Sequence, residues 1–439
     1  MPKVSKVHWA AGKPPTLGKT KSSSMAADQP PAQTEQISAH ENEPVSLSWY
    51  PKHCFKLPGF DHVEKLLDRI ELAVAQGKRK RADYAIWAYL NSYDARRLAL
   101  ETAYRRLPKN KRPKPESLDN IAAFLDAWRG TKETVYLLLQ VKPGPNLDYR
   151  PILDYGIENR ALQYLVLPVL KLHAKLHPSQ YALRGTHAAI RRVAASLADG
   201  YVWAIESDIR NCFPSFDGDR VCELLPLPEE VTRHALLANT LNVSLAHTFL
   251  ACADPDEEQQ LLNAEFAPVR RGLPQGSAAS PLVAEMLLAP LFENLPEGGR
   301  SIGYVDNFLA MGKSESGAVS MTEAFWSALE AHPAGQLKAK NPLIYEPGKP
   351  IQFLGHQLRL TDGEVVISPT LVRQQEFETT FQEGLAKIKA ASSSEKRSNA
   401  VSKLSYYVRS WTASFGLCDN IKELRATVLK RIAAAAHGS

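Results

Sequence analysis

The 439-residue chain has five cysteines, Cys54, Cys212, Cys222, Cys252 and Cys418, widely spaced and without a CxxC pair. That excludes a zinc knuckle and a disulfide framework. No apolar run reaches the roughly 18 to 20 residues that cross a bilayer, and the N-terminus lacks the short apolar core of a secretory signal. A cytoplasmic chain with no membrane partner is the expectation. The first arginine is Arg69, so the basic N-terminal stretch does not read as a transit peptide. No internal repeat is visible. His173 and His177 stand four apart, but without HExxH or further ligands they read as structural.

What is present is ordinary globular composition, 44% hydrophobic and 23% charged, which rules out wholesale disorder and fibrous repeats. At about 150 residues per domain the length predicts two or three domains. The net charge of +6 is mild, but it is unevenly placed. Between Lys78 and Lys114 twelve Lys or Arg face three acids, Asp83, Asp94 and Glu101, which makes that stretch +9 and leaves −3 for the rest. Tyr84, Trp87, Tyr89, Tyr93 and Tyr104 are interleaved there, a pattern suited to a polyanion. A solvated helix face with its aromatics turned into a core is the competing reading.

Residues 1–45 are rich in Pro, Ser, Ala, Gln and Lys and read as a disordered tail. Residues 46–133 read as a basic helical region, with helices over 59–75, 82–106 and 116–129 broken by Gly77 and the segment LPKNKRPKP. Residues 134–154 switch to two strands around a Pro/Gly turn. Helices follow at 159–177 and 186–197, then the β-branched and aromatic strand YVWAIESDI, a turn at 271–276 and a helix at 280–291. SIGYVDNFLAMG reads as a hairpin turning at Val305–Asn307, followed by a helix at 319–331 and a strand pair around 343–360. The rest, from residue 369, reads as helical with a break at the Ser run 392–394.

Asp208 ends an apolar strand just before a helix, and Asp306 sits at the tight turn of a hairpin. Carboxylates on adjacent strand ends can hold two Mg²⁺ ions about 4 Å apart, one activating an attacking hydroxyl and the other stabilising a leaving pyrophosphate. Either Asp alone would more often be a cap or a turn residue. Between them, Arg271-Gly272-Leu273-Pro274-Gln275-Gly276 leads to Ser280-Pro281. Its glycines allow close backbone approach and Pro281 can open a helix, a combination suited to a sugar-phosphate strand.

Taken together, SDIRNCF, GLPQGSAASP, YVDN and QFLGHQL, in that order and spacing, resemble the palm motifs of bacterial reverse transcriptases, shared by group II intron, retron and phage-defence members. VKPGPNLDYRPI, ENRALQ and YALRGTHAAI resemble the finger motifs of the same family. The resemblance covers about residues 135–360. It implies an α+β right-hand polymerase: a helical N-terminal extension, fingers and palm over 134–365 built of antiparallel sheet and helices, and a helical thumb over 366–439. It further implies an RNA-directed DNA polymerase that adds deoxynucleotides to a 3′-hydroxyl with two Mg²⁺ ions.

Carried over residue by residue, the resemblance makes Asp208 and Asp306 the metal ligands, with the Ile209 carbonyl as a further oxygen. Phe213 matches the aromatic gate that excludes a ribose 2′-OH, although a core residue at helical spacing is the alternative. Gln275 and Gly276 would lie against template and incoming nucleotide, with Arg271 on the template side. Lys142 and Arg150 would hold the triphosphate as cation and bidentate fork. Arg160 fits a helix-face ion pair nearly as well. Lys340 or Lys338 would be the late lysine near the pyrophosphate, and Gly355 would lie in the primer-grip turn. Tyr406, Tyr407 and Trp411 in the thumb could line a nucleic-acid groove or form its core.

One departure stands out. Asn307 occupies the position where the family usually has a second Asp, which removes one negative charge from the turn. Two readings follow from the resemblance. The first is an active enzyme with dNTPs, an RNA template and a DNA product, acting in bacterial antiphage defence, since no endonuclease pattern appears. The alternative is a catalytically degenerate subunit that holds a noncoding RNA or a second protein subunit.

Overall fold

The computed structural model describes residues 57–142, 149–246 and 255–437. The expected tail over 1–45, the turn of the first hairpin, Cys54 and Cys252 lie outside the described residues. Four helices come first, α1 (Phe60–Ala75), α2 (Arg79–Asn91), α3 (Tyr93–Arg106) and α4 (Leu118–Phe124), then β1 (Thr134–Val141), β2 (Tyr149–Asp154) and α5 (Ile157–His173). The middle of the chain forms α6 (Thr186–Ala198), β3 (Trp203–Asp208), α7 (Cys212–Ser215), α8 (Gly218–Leu224), α9 (Glu229–Ala235), β4 (Asn242–Leu245), α10 (Pro255–Arg271) and α11 (Ser280–Leu288). It continues through β5 (Gly299–Tyr304), β6 (Asn307–Gly312), α12 (Glu315–Glu330), β7 (Leu343–Tyr345), β8 (Ile351–Phe353), β9 (His356–Thr361) and β10 (Glu364–Pro369). Three helices follow, α13 (Leu371–Lys389), α14 (Ser394–Ser414) and α15 (Ile421–His437). The fold is α+β, as expected. It divides into two compact units, one containing the chain up to Ala174 and Phe213–Val283, the other Lys175–Cys212 and the chain from Ala284 onward.

In the first unit α3 packs on α5, and β1 lies between antiparallel β2 and parallel β4. The parallel β1–β4 pair was not anticipated. Along β1 the side chains of Val135, Leu137 and Leu139 alternate into a core with Leu153, Leu245, Phe266 and Val269, the period of two that a half-buried strand requires. The single helix expected over 82–106 is two helices. Ser92 is extended, at φ −69 and ψ 127, and its Oγ accepts the Ala95 N–H at 3.4 Å. A side chain that caps a new helix offers its first turn the partner that a continuous helix would not need. The helix expected over 116–129 ends at Phe124, where the chain becomes extended at Leu125.

In the second unit a four-stranded antiparallel sheet runs in the order β5-β6-β3-β7. Ile190 and Val193 of α6 pack with Ala204, Ile302, Leu309 and Met311, while Phe308 stacks on Phe325 of α12 with ring centroids 3.8 Å apart. Burial on both faces makes β3 and β6 rigid mounts. A second sheet, β8-β9-β10, is a meander. Its last strand, β10, was not expected: it falls between the strand pair around 343–360 and the helical stretch from 369. Asp362 and Gly363 both take positive φ, at 52 and 83, the Asp-Gly chemistry of a tight hairpin turn, so the boundary placed at 365/366 falls inside β10. Helices α13–α15 close around Phe377, Phe381, Ile388, Leu404, Val408, Val428 and Ile432.

Candidate active site

Asp208 ends β3, directly opposite Asn307 at the start of β6. Being flanked by β6 and β7, β3 is an interior strand, and its last residue projects from a mount that packing fixes on both sides. One carboxylate oxygen, Oδ2, accepts from the Lys340 ammonium at 2.5 Å. The same lysine's backbone N–H donates to the Asp208 carbonyl at 2.7 Å, and the Arg210 N–H donates to the Lys338 carbonyl at 2.8 Å. A short ribbon therefore runs beside Asp208–Arg210, bridged at Ile209 and Ala339. It is Lys340, not Lys338, whose ammonium reaches the carboxylate. The other oxygen, Oδ1, is buried with no hydrogen-bond partner among the described residues.

Tyr304 and Asn307 are paired across the end of the β5–β6 hairpin, which leaves Val305 and Asp306 as its two-residue turn. Val305 lies at φ 54, a region that a β-branched side chain enters only under constraint. The Asp306 carbonyl accepts the Ile209 N–H at 2.9 Å, tying the two carboxylate-bearing segments together through backbone. The Asn307 amide donates to Asp306 Oδ1 at 3.2 Å and to the Tyr304 carbonyl at 3.4 Å. A second aspartate could make neither bond and would place like charge beside Asp306. Val305 N–H donates to Oε1 of Glu285, which is 1% exposed, at 2.7 Å.

Burial shapes the remaining titratable groups. It pushes the Glu285 carboxyl up to about 7, against the pull of the Val305 N–H and of the Gln180 side chain. It also raises the Glu206 carboxyl, opposed by the Tyr345 hydroxyl that donates to it at 2.9 Å and reinforced by the charge of Asp208. Cys212 is buried and its thiol is pushed well up, first by desolvation and then by Asp306, Asp208 and Glu285. It is therefore a protonated, inert thiol.

These donors fit a hard cation. Among the described residues no three His, Cys, Asp or Glu side chains converge on one point. A Mg²⁺ ion, however, keeps several waters and needs only one or two carboxylates plus substrate phosphates. Two aspartates on backbone-linked segments, one with an orphaned buried oxygen, match that requirement.

In the first unit the Gly-rich loop is fastened to its surroundings by backbone. Leu273 N–H donates to the Phe213 carbonyl at 2.9 Å, and a Cβ on Gly272 would stand 2.4 Å from that oxygen. The Gln275 carbonyl accepts the Leu153 N–H of β2 at 2.9 Å, while its side-chain Oε1 is buried without a partner among the described residues. Gly276 lies at φ 101, with a hypothetical Cβ 2.2 Å from the Leu153 carbonyl, so only glycine fits. Gln163 of α5 accepts the Ala278 N–H at 2.9 Å. Phe213 is half-buried on α7, and Arg271 is exposed at the end of α10. Lys142 follows β1, and Arg150, exposed on β2, pairs in register with Gln140. Arg160 makes an ion pair with Asp154 at 3.4 Å, the structural reading of that residue. Gly355, in the second unit, takes φ 79 in the β8–β9 turn and its carbonyl accepts the Thr370 N–H at 2.9 Å.

The family model described as "Reverse transcriptase (RNA-dependent DNA polymerase)" matches residues 141–358, about half of the chain. Those residues are a reverse transcriptase domain. No curated protein matches the chain. Among solved structures it is similar to apo telomerase from Candida tropicalis, with 10% identity, TM-score 0.36, and 70% of this chain and 63% of that chain covered. It is also similar to telomerase from Candida albicans in complex with a TWJ fragment of telomeric RNA, with 9% identity, TM-score 0.33, and 71% and 60% covered. The chain thus spans about three fifths of those structures' length.

The reverse transcriptase domain ends before α13–α15. Of the aromatics considered there as a groove lining, Tyr406 is 75% exposed, whereas Tyr407 and Trp411 pack on Phe377 with centroids 5.9 and 4.3 Å apart. Glu285 had drawn no attention in the sequence. Its only signal there is a lone acid in the apolar run LVAEMLLAPL. No helix of the described residues is long and apolar enough to cross a membrane.

Proposed function

We propose that this protein is an RNA-directed DNA polymerase that adds deoxynucleotides to a 3′-hydroxyl, with Asp208, Asp306 and the Ile209 carbonyl holding Mg²⁺. The orphaned, buried Oδ1 of Asp208 carries the reading, because such an oxygen is costly unless something binds it. The metal supplies charge neutralisation for the attacking hydroxyl and the leaving pyrophosphate. The protein's own groups do the positioning. Lys340 brings a cation to Asp208, and by resemblance it would be the late lysine near the pyrophosphate. Asn307 steadies the Asp306 carboxylate by donating to it. By resemblance, Lys142 and Arg150 hold the triphosphate, Phe213 excludes a 2′-hydroxyl, Gln275, Gly276 and Arg271 face nucleotide and template, and Gly355 approaches the primer end. The helices from Leu371 onward act as the thumb.

Primer extension with purified protein, Mg²⁺, labelled dNTPs and an RNA template tests this. Product that depends on Asp208 supports it. Absence of product with every template, with synthesis restored by Asn307→Asp, supports the second reading. In that reading a noncatalytic subunit holds a noncoding RNA or a partner polymerase, and Asn307 together with the Lys340–Asp208 pair is what favours it. The resemblance to phage-defence members extends the proposal to antiphage defence in the bacterial cytoplasm. Loss of plating protection in an Asp208→Ala strain is the expected outcome.

A further inference from the structure

Helix α11 is buried and apolar around most of its circumference. Leu282, Val283, Ala284, Leu287 and Leu288 are all buried. Glu285 interrupts this series at 1% exposure, and its Oε2 has no hydrogen-bond partner among the described residues. An apolar side chain of similar volume would avoid that desolvation cost. A carboxylate buried among apolar neighbours and only partly hydrogen-bonded breaks a local rule, and such a place is where function is to be sought.

What Glu285 does hold is the turn that carries Asp306. Its Oε1 accepts the N–H of Val305 at 2.7 Å, the residue whose positive φ makes the turn unfavourable by itself. A second set of bonds holds the other side. Gly303 N–H donates to the Ser179 carbonyl at 2.7 Å, Tyr181 N–H donates to the Gly303 carbonyl at 2.8 Å, and the Gln180 amide donates to the Glu285 carbonyl at 2.7 Å. From the turn, the Asp306 carbonyl accepts the Ile209 N–H. A continuous path therefore leads from the buried carboxylate through Val305 and Asp306 to the backbone next to Asp208.

We infer that Glu285 is a positioning residue that clamps the Val305–Asp306 peptide and so sets how the Asp306 carboxylate is presented. The polymerase reading above defines what is being positioned, but the clamp itself does not depend on it. The test compares full-length Glu285→Met, which fills the volume without an acceptor, with Glu285→Gln, which keeps an acceptor oxygen. Two quantities are read: kcat and KM for single-nucleotide extension, and amide hydrogen exchange across residues 303–307. Misplacing a reacting group by about 1 Å costs on the order of a hundredfold in rate. Glu285→Met should therefore lower kcat by at least about tenfold while KM for the dNTP stays within about threefold, and Glu285→Gln should regain most of the loss. Exchange at 303–307 should speed up in the Met variant and not in the Gln variant. Equal behaviour of the two variants in both readouts overturns the clamp. If the wild type extends no primer, the polymerase reading falls, and exchange alone decides the clamp by the same criterion.

Discussion

Glu101 in the first unit and Asp208 in the second are carboxylates beside basic groups, and they are treated in opposite ways. Glu101 is buried on α3, with Arg105 on one oxygen at 2.7 Å and Arg97 on the other at 3.2 Å. Its charge is satisfied within its own helix. Asp208 has one oxygen on Lys340, while the other is buried and bound to nothing described. A carboxylate with both oxygens paired stabilises the fold, whereas one left half-paired at a strand end is available to a ligand. The basic stretch follows the same division. Arg97, Arg105 and Lys111 are engaged in ion pairs with Glu101 and Asp154, whereas Lys78–Arg81 are exposed at the start of α2. The +9 region is thus partly structural.

The contrast is broken most directly at Asp208. In the proposed role as a metal ligand, its replacement with Asn should reduce primer extension by on the order of a thousandfold, because such a ligand contributes several kcal/mol of charge stabilisation. Thermal stability should stay within about 1 kcal/mol, because an exposed-end ion pair is all the fold loses. A variant that extends primers normally would remove Asp208 from catalysis.

Glu101→Gln should do the reverse. It should cost about 1.5–3 kcal/mol in urea unfolding, the range for hydrogen bonds to charged groups, with extension rate unchanged. Burial alone would raise the Glu101 carboxyl, but Arg105 and Arg97 outweigh it and hold the group below its ordinary value. The stabilisation is therefore present in full above the ordinary value of 4.5 and is lost as pH falls through the lower folded value. Unfolding midpoints of wild type and variant should converge below that pH. A constant gap would refute the charge-based account.

Lys340→Met sharpens the comparison by removing the cation that competes for Asp208. Since Lys340 is half exposed, the pair is worth at most about 1 kcal/mol. Mn²⁺ binding followed by electron paramagnetic resonance should tighten by about fivefold or less. Weaker binding would make Lys340 a supporter of the metal site.

The smallest effect belongs to Asn307→Asp. It sets a second carboxylate directly across from Asp208, and like charges in opposed positions destabilise a sheet by up to about 1 kcal/mol. The melting temperature should fall in EDTA and recover in Mg²⁺. A drop that Mg²⁺ does not reverse would mean that the two residues do not share a cation.

Much of this is legible in the sequence. β1, β3 and the β5–β6 hairpin follow from runs of apolar and β-branched residues bounded by turn chemistry, and Asp208 and Asp306 stand out because their strand-end positions are local facts. The split at Ser92 and the strand β10 were missed although both signals, an N-cap serine and an Asp-Gly turn, are present in the sequence. Ser92 lies between two helical runs, and β10 leads directly into the helix that opens at Leu371, so neighbouring helical propensity masks both signals.

The sequence by itself determined most of the element types, the order of the motifs and the strand-end positions of Asp208 and Asp306, because periodicity and turn residues act over a few positions. Only the tertiary structure decided between Lys340 and Lys338, sent Tyr407 and Trp411 to a core while leaving Tyr406 in solvent, and placed Glu285 under Val305. Those outcomes depend on which residues distant in sequence are packed together, and on whether a polar atom finds a partner once water has been excluded.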